Sequence, residues 1–171
     1  SGTPLHGVPF AQLPHLAPAR GVLANNSNNV PYAAGYPYRL SAYYSPPYRA
    51  VEIARQLHAR PRVGVEQSRA IQADTTSIAE SELARMCVAA LRRVHADRDP
   101  VVAPVYAALA SFDGRFDPSS RGATVAQRVR FVATRDLLAM HLSAATASAY
   151  LSDGPAFVTL MRALREHPRG W

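Results

Sequence analysis

Gly21 to Leu57 reads GVLANNSNNVPYAAGYPYRLSAYYSPPYRAVEIARQL, and the fold turns on how that stretch divides. Gly21-Val22-Leu23-Ala24 is a short apolar run, read as a strand over 21–27 that breaks into Asn25-Asn26-Ser27-Asn28-Asn29. A strand ending in carboxamides holds those amides on a fixed platform, and sites are built at such places. A crossover rich in Pro and Tyr follows. Pro46-Pro47-Tyr48-Arg49 then opens a helix, because proline suits a first turn and Tyr48, Val51, Ile53 and Leu57 give an imperfect apolar stripe. A single strand is not stable alone. The strand therefore needs sheet partners that the rest of the chain does not supply.

Outward from that stretch the pattern is helical on one side and irregular on the other. Residues 1–20 are punctuated by Pro4, Pro9, Pro14 and Pro18 and read as an extended arm lying on something else. Arg60-Pro61-Arg62 ends the first helix. Val65 to Gln72 is a short second one. Ser77 begins a long helix, with Glu80 completing a capping box and Leu83, Met86, Cys87, Ala90, Leu91 and Val94 at helical spacing. Pro100 to Ala110 is another helix, and Phe112 to Gly122 a loop rich in turn residues. Thr124 to Ser148 is read as one long helix, Asp153-Gly154-Pro155 as its break, and Ala156 to Arg165 as the last helix, ended by Pro168. The fold class that follows is mainly α, a helical subdomain with one or two short strands. It divides into an arm, strand and Asn loop over 1–45 and a helical part over 46–171.

Bulk properties exclude several functions. With 171 residues, 48% apolar and 18% charged, the chain is long and apolar enough to bury a core. No apolar run reaches the roughly 18 residues of a membrane span. The net charge of +7 comes entirely from arginines on the basic side, and these are dispersed from Arg20 to Arg169 with no cluster beyond Arg92-Arg93. Dispersion of that kind argues against a nucleic-acid surface. The single cysteine, Cys87, rules out an internal disulfide and reads as a small buried hydrophobe in an apolar helix. The six histidines show no i, i+4 pair and no HExxH, so zinc is not expected. Asp74-Thr75-Thr76-Ser77 reads as a helix cap rather than as a catalytic group. Ser1-Gly2-Thr3 lacks the charged and apolar regions of a signal peptide, so any export signal is expected on a part beyond this sequence.

The ordered pieces of this chain resemble the β-chain of the penicillin amidase family, whose members are N-terminal-nucleophile acylases. The residues that carry the likeness are Gly7-x-Pro9-Phe10-x-x-Leu13-Pro14, Gly21-Val22-Leu23-Ala24 and Asn26-Ser27-Asn28-Asn29-x-Pro31. Tyr36-Pro37-Tyr38, Pro47-Tyr48-Arg49-Ala50 and Glu52-Ile53-Ala54-Arg55 continue it in order. Ile71-Gln72-x-Asp74-x-x-Ser77 and Leu109-x-x-Phe112-Asp113-Gly114 extend it more weakly. The resemblance covers a middle portion of a family β-chain. It implies that the chain is part of a larger αββα fold.

The family's reaction is amide hydrolysis by an amino-terminal Ser, Thr or Cys, whose free α-amine, with a pKa near ~8, serves as the base. The tetrahedral intermediate needs preorganised donors for its oxyanion, and an Asn carboxamide is a good one. The resemblance places that donor at Asn28; read alone, any Asn of this run is equally a turn-former. It makes Arg49 the site arginine that tunes the amine and holds the Asn loop; read alone, Arg49 is a surface or bracing arginine. The family's nucleophile precedes a long sheet region, whereas here the Gly7 segment begins six residues after Ser1, so Ser1 is not the expected nucleophile. Some members bind calcium through an acid shortly after the Tyr-Pro pair. Here that place reads Tyr38-Arg39-Leu40, with no carboxylate, so no cofactor is expected of this chain, and the resemblance leaves calcium open only for the parent enzyme.

Two functions follow. In the first, the chain is a piece of an acylase acting on penicillin-type or acyl-homoserine-lactone-type amides, supplies the oxyanion Asn, and partners the α-chain and the nucleophile-bearing core. The resemblance also implies an autoprocessed zymogen, exported to the periplasm or secreted. In the second, it is a non-catalytic helical packing module with amidase ancestry only. Alone, the piece is expected to be inactive. It is also expected to self-associate through Val8, Phe10, Leu13, Leu16, Val22 and Leu23, which have nothing local to bury them.

Overall fold

The computed structural model describes residues 7–13, 35–38, 40, 44–151 and 155–169. The expected strand over 21–27 and Asn28 lie outside the described residues. Those described are mainly helical, as the sequence implies. Their helices are α1 Tyr48–His58, α2 Val65–Gln72, α3 Ile78–Arg93, α4 Ala103–Ala110, α5 Arg121–Ala139, α6 Ala144–Leu151 and α7 Pro155–Glu166, with short 3-10 turns at Phe10–Gln12 and Ala96–Arg98. An isolated antiparallel bridge joins Thr76 to Arg115. The chain divides into two compact units, Ser1–Ala59 and Arg60–Trp171.

In the first unit the arm is held by side chains. The Tyr36 hydroxyl donates to the Gln12 carbonyl at 2.8 Å, and the Tyr38 hydroxyl donates to Gln12 Oε1 at 2.5 Å. The two tyrosine rings meet edge to face with centroids 5.7 Å apart, a favoured aromatic geometry. The 3-10 turn at Phe10–Gln12 is thus tied to the Tyr36-Pro37-Tyr38 segment, while the Phe10 side chain stays 79% exposed. Helix α1 has one buried residue, and it is a glutamate, Glu52.

The second unit contains every buried apolar side chain among the described residues. Helices α3, α4 and α5 pack on one another around Ala84, Leu109 and Ala126, with Cys87, Val88, Phe112, Val125 and Val129 against them. The small residues let the helix backbones approach closely. Gly122, early in α5, is the extreme case: a Cβ there would lie 2.8 Å from the Phe112 Cβ and 2.9 Å from the Ala108 carbonyl oxygen. Helix α5 starts at Arg121, capped by Ser120, whose Oγ accepts from the Ala123 N–H at 3.1 Å. The sequence pattern placed Gly122 in the preceding loop.

Two charged groups fasten the helices. Glu80, buried on α3, accepts from Arg130 of α5 and from the Ser77 hydroxyl. The Arg130 guanidinium also lies 4.2 Å from the centre of the Phe157 ring on α7. Glu82 accepts from Arg165 of α7, with the Nε bond at 2.7 Å. The Arg165 hydrogen bonds hold the Glu82 carboxyl below its ordinary range, against an opposing effect of burial. Only half of the expected capping box at Ser77 forms. The Ser77 Oγ does cap the Glu80 N–H, but the Ser77 N–H donates to the Gly114 carbonyl at 2.8 Å, and the Glu80 carboxylate turns to Arg130 instead.

The run 124–148, expected as one helix, is two. Leu138 and Ala147 are both buried in one cluster with Ala156. On a straight helix they would stand about two and a half turns apart and face roughly opposite ways. The chain instead stops α5 at Ala139 and restarts at Ala144, with the Ser143 Oγ accepting from the Thr146 N–H at 3.3 Å.

Candidate active-site helix

Of the candidate site residues, the one that falls among the described residues, Arg49, lies on α1. The first intrahelical bond of α1 runs from the Val51 N–H to the Pro47 carbonyl at 3.0 Å. Pro47 supplies no side-chain cap, and the first turn contains no acid. That end of a helix carries the positive pole of its peptide dipoles. Arg49 stands in this first turn, is exposed, and makes no hydrogen bond or ion pair with a described residue. An uncommitted guanidinium and a helix N-terminus therefore act together as a positive corner, one that stabilises anionic charge or lowers the basicity of a nearby amine.

One turn further on, Glu52 faces inward and is 7% exposed. Its Oε2 accepts from Arg55 Nε at 2.8 Å, and its Oε1 accepts from Arg55 Nη2 and, at 3.1 Å, from Gln56 Nε2. Two parallel N–H bonds from one guanidinium form the strongest common carboxylate clamp. Of the two residues read as the site, Arg49 is thus placed at the head of α1, while Asn28 lies outside the described residues. The sequence reading had not singled out the Glu52–Arg55 fork as a feature of the site. Its signal was the Glu-x-x-Arg spacing, which puts both side chains on one helix face.

Other candidates have structural roles here. Cys87 is half-buried in the core cluster, and desolvation pushes its thiol pKa up, which disfavours the nucleophilic thiolate. Asp74 accepts from the Thr76 N–H and hydroxyl at 3.3 and 2.8 Å and pairs with Arg115 at 3.7 Å, so it braces the turn before α3. The described residues contain no group of three or more His, Cys, Asp or Glu that could hold a metal ion. No helix among the described residues is long and apolar enough to cross a membrane.

The model of the family described as penicillin amidase matches residues 5–170, which includes the Asn run, α1 and all the helices after it. No curated protein and no solved structure matches the chain.

Proposed function

The chain belongs to the penicillin amidase family, and from that premise we propose that it is part of an acylase that hydrolyses a linear C–N amide into a carboxylate and an amine. The family match across the Asn run and α1 carries this reading. The substrate is of the penicillin or acyl-homoserine-lactone type. The enzyme is an exported, autoprocessed precursor whose nucleophile lies on a part of the protein beyond this sequence. Asn28 donates its carboxamide N–H to the oxyanion of the tetrahedral intermediate. Its carbonyl holds the nucleophile's α-amine. Arg49 adds positive potential from the head of α1, which keeps that amine neutral and able to take a proton at neutral pH.

The test belongs in the full-length acylase that contains this chain. Asn28→Ala is expected to lower kcat by roughly 10²–10³, the usual effect of losing one oxyanion donor. KM should change far less, because the donor acts on charge that develops only in the transition state. Asn25→Ala and Asn29→Ala should be milder. If all three variants stay folded and retain full kcat, the oxyanion assignment is lost and the packing-module reading remains.

A further inference from the structure

The second unit begins at Arg60, but its core begins later: the first buried residue after that point is Ala79, on α3. Between them runs α2, and every residue of α2 except Ile71 is exposed, Val65 to 72%. Helix α2 does not share in the packing that joins α3, α4 and α5. A helix of eight residues with so little tertiary support is marginal in water, because its nucleation is costly and few hydrogen bonds offset it. Just ahead of it, Arg62 and Val63 lie outside any helix. Arg62 is exposed, and neither residue makes a hydrogen bond or ion pair with a described residue, by backbone or side chain.

We propose that the Arg62–Val63 peptide bond is a processing site for an arginine-specific endoprotease of the trypsin type. Such a protease holds its substrate as an extended strand through main-chain hydrogen bonds. It takes the arginine guanidinium into a pocket floored by a carboxylate. Arg62 and Val63 offer free backbone groups and an uncommitted guanidinium, and unravelling α2 supplies further extended chain at low cost. One water adds across the bond: the C–N bond breaks, Arg62 is left with a carboxylate and Val63 with a free α-amine. The choice of bond is narrow, because the chain contains no lysine and its other described arginines are sheltered. Arg60 precedes Pro61, whose tertiary amide such proteases do not cut. Every other described arginine with a described successor stands in a helix or, for Arg115, in the bridge to Thr76. Arg69, the nearest competitor, is inside α2 and pairs with Glu66 at 3.3 Å. All the buried apolar side chains of the described residues follow the cut, so residues 63–171 keep their core. None of this rests on the acylase reading.

The experiment digests the full-length protein that contains this chain with sparing amounts of trypsin, and reads the products by mass and amino-terminal sequencing. The first cut after residue 45 is expected to give a product that begins Val63-Gly64-Val65, with a product beginning at Ala70 only later. The helical circular dichroism of the digest should persist. Arg62→Gln should abolish the Val63 product, whereas Arg69→Gln should leave it at the parental rate. Both residues are exposed, so neither substitution disturbs the core. A second measurement separates local access from global unfolding. Urea well below the unfolding transition should change the rate of the Val63 cut by less than about twofold, relative to a short arginine peptide, because the bond is open in the native state. A rate that climbs with the unfolded population overturns the proposal. So does a first cut after residue 45 at any other arginine, and so does an Arg62–Val63 bond still intact after prolonged digestion.

Discussion

Glu80 shows how much a single residue's sequence neighbourhood reveals. Ser77 and Glu80 three apart announce a helix start, and α3 does begin there, with the Ser77 Oγ capping the Glu80 N–H. What Glu80 does with its charge was not legible, because its partner Arg130 lies on another helix and only packing brings the two together. Arg49 was legible as a site candidate through the order of its flanking motifs. Glu80 also yields a stability prediction. Arg130→Ala leaves a buried carboxylate with only the Ser77 hydroxyl and removes the cation over the Phe157 ring. The expected loss is about 3 kcal/mol in urea unfolding, since breaking a buried pair from one side leaves an uncompensated charge. Adding Glu80→Gln should recover a good part of it. A loss under about 1 kcal/mol for Arg130→Ala would mean that water already serves Glu80.

At the scale of elements, helix existence was read well and helix ends less so. Periodicity found α1, α2, α3, α4 and α7, because each has a stripe, a cap or a proline at its edge. It fused α5 with α6, since no Gly or Pro marks the gap; the break comes from two buried residues that must face one cluster. It also put Gly122 in a loop, where glycine usually belongs, although here it lies inside α5 at the closest approach to α4. That position separates two opposed effects. Gly→Ala gains up to roughly 1 kcal/mol from propensity in a helix interior, and less in the first turn, where Gly122 stands. A methyl group here would press on the Phe112 Cβ at 2.8 Å and on the backbone oxygen of Ala108 at 2.9 Å, and neither is the far end of a flexible side chain. Overpacking of this kind costs roughly 1–3 kcal/mol. Gly122→Ala is therefore expected to lower the thermal midpoint despite its better helix propensity, whereas a raised midpoint would show that α4 and α5 can part at no cost.

Across the whole molecule, the buried apolar side chains of the described residues fall in one of the two units. The mainly helical class was legible from the spacing of apolar residues, but the location of the core was not, because single-element patterns do not reveal which helices meet. Among the described residues, every buried apolar side chain and both inter-helix charge clamps fall in Arg60–Trp171. The one buried residue of α1 is Glu52, which contributes hydrogen bonds rather than apolar area. Apolar burial is the dominant favourable term in folding. A chain of residues 60–171 is therefore expected to fold by itself. Its circular dichroism should be helical, and its melt a single cooperative transition. The same melt carries a pH signature. Glu82 has its pKa lowered by Arg165, so the stabilisation is fully present above the unfolded value of 4.5 and is lost as pH falls through the folded one. The thermal midpoint of 60–171 should thus drop below pH 4.5 more steeply than that of its Glu82→Gln variant, which should start lower at neutral pH. A broad, non-cooperative melt for 60–171 would place part of the core's support in residues 1–59. Parallel acid profiles for the two proteins would show that the Glu82–Arg165 clamp adds nothing to folding.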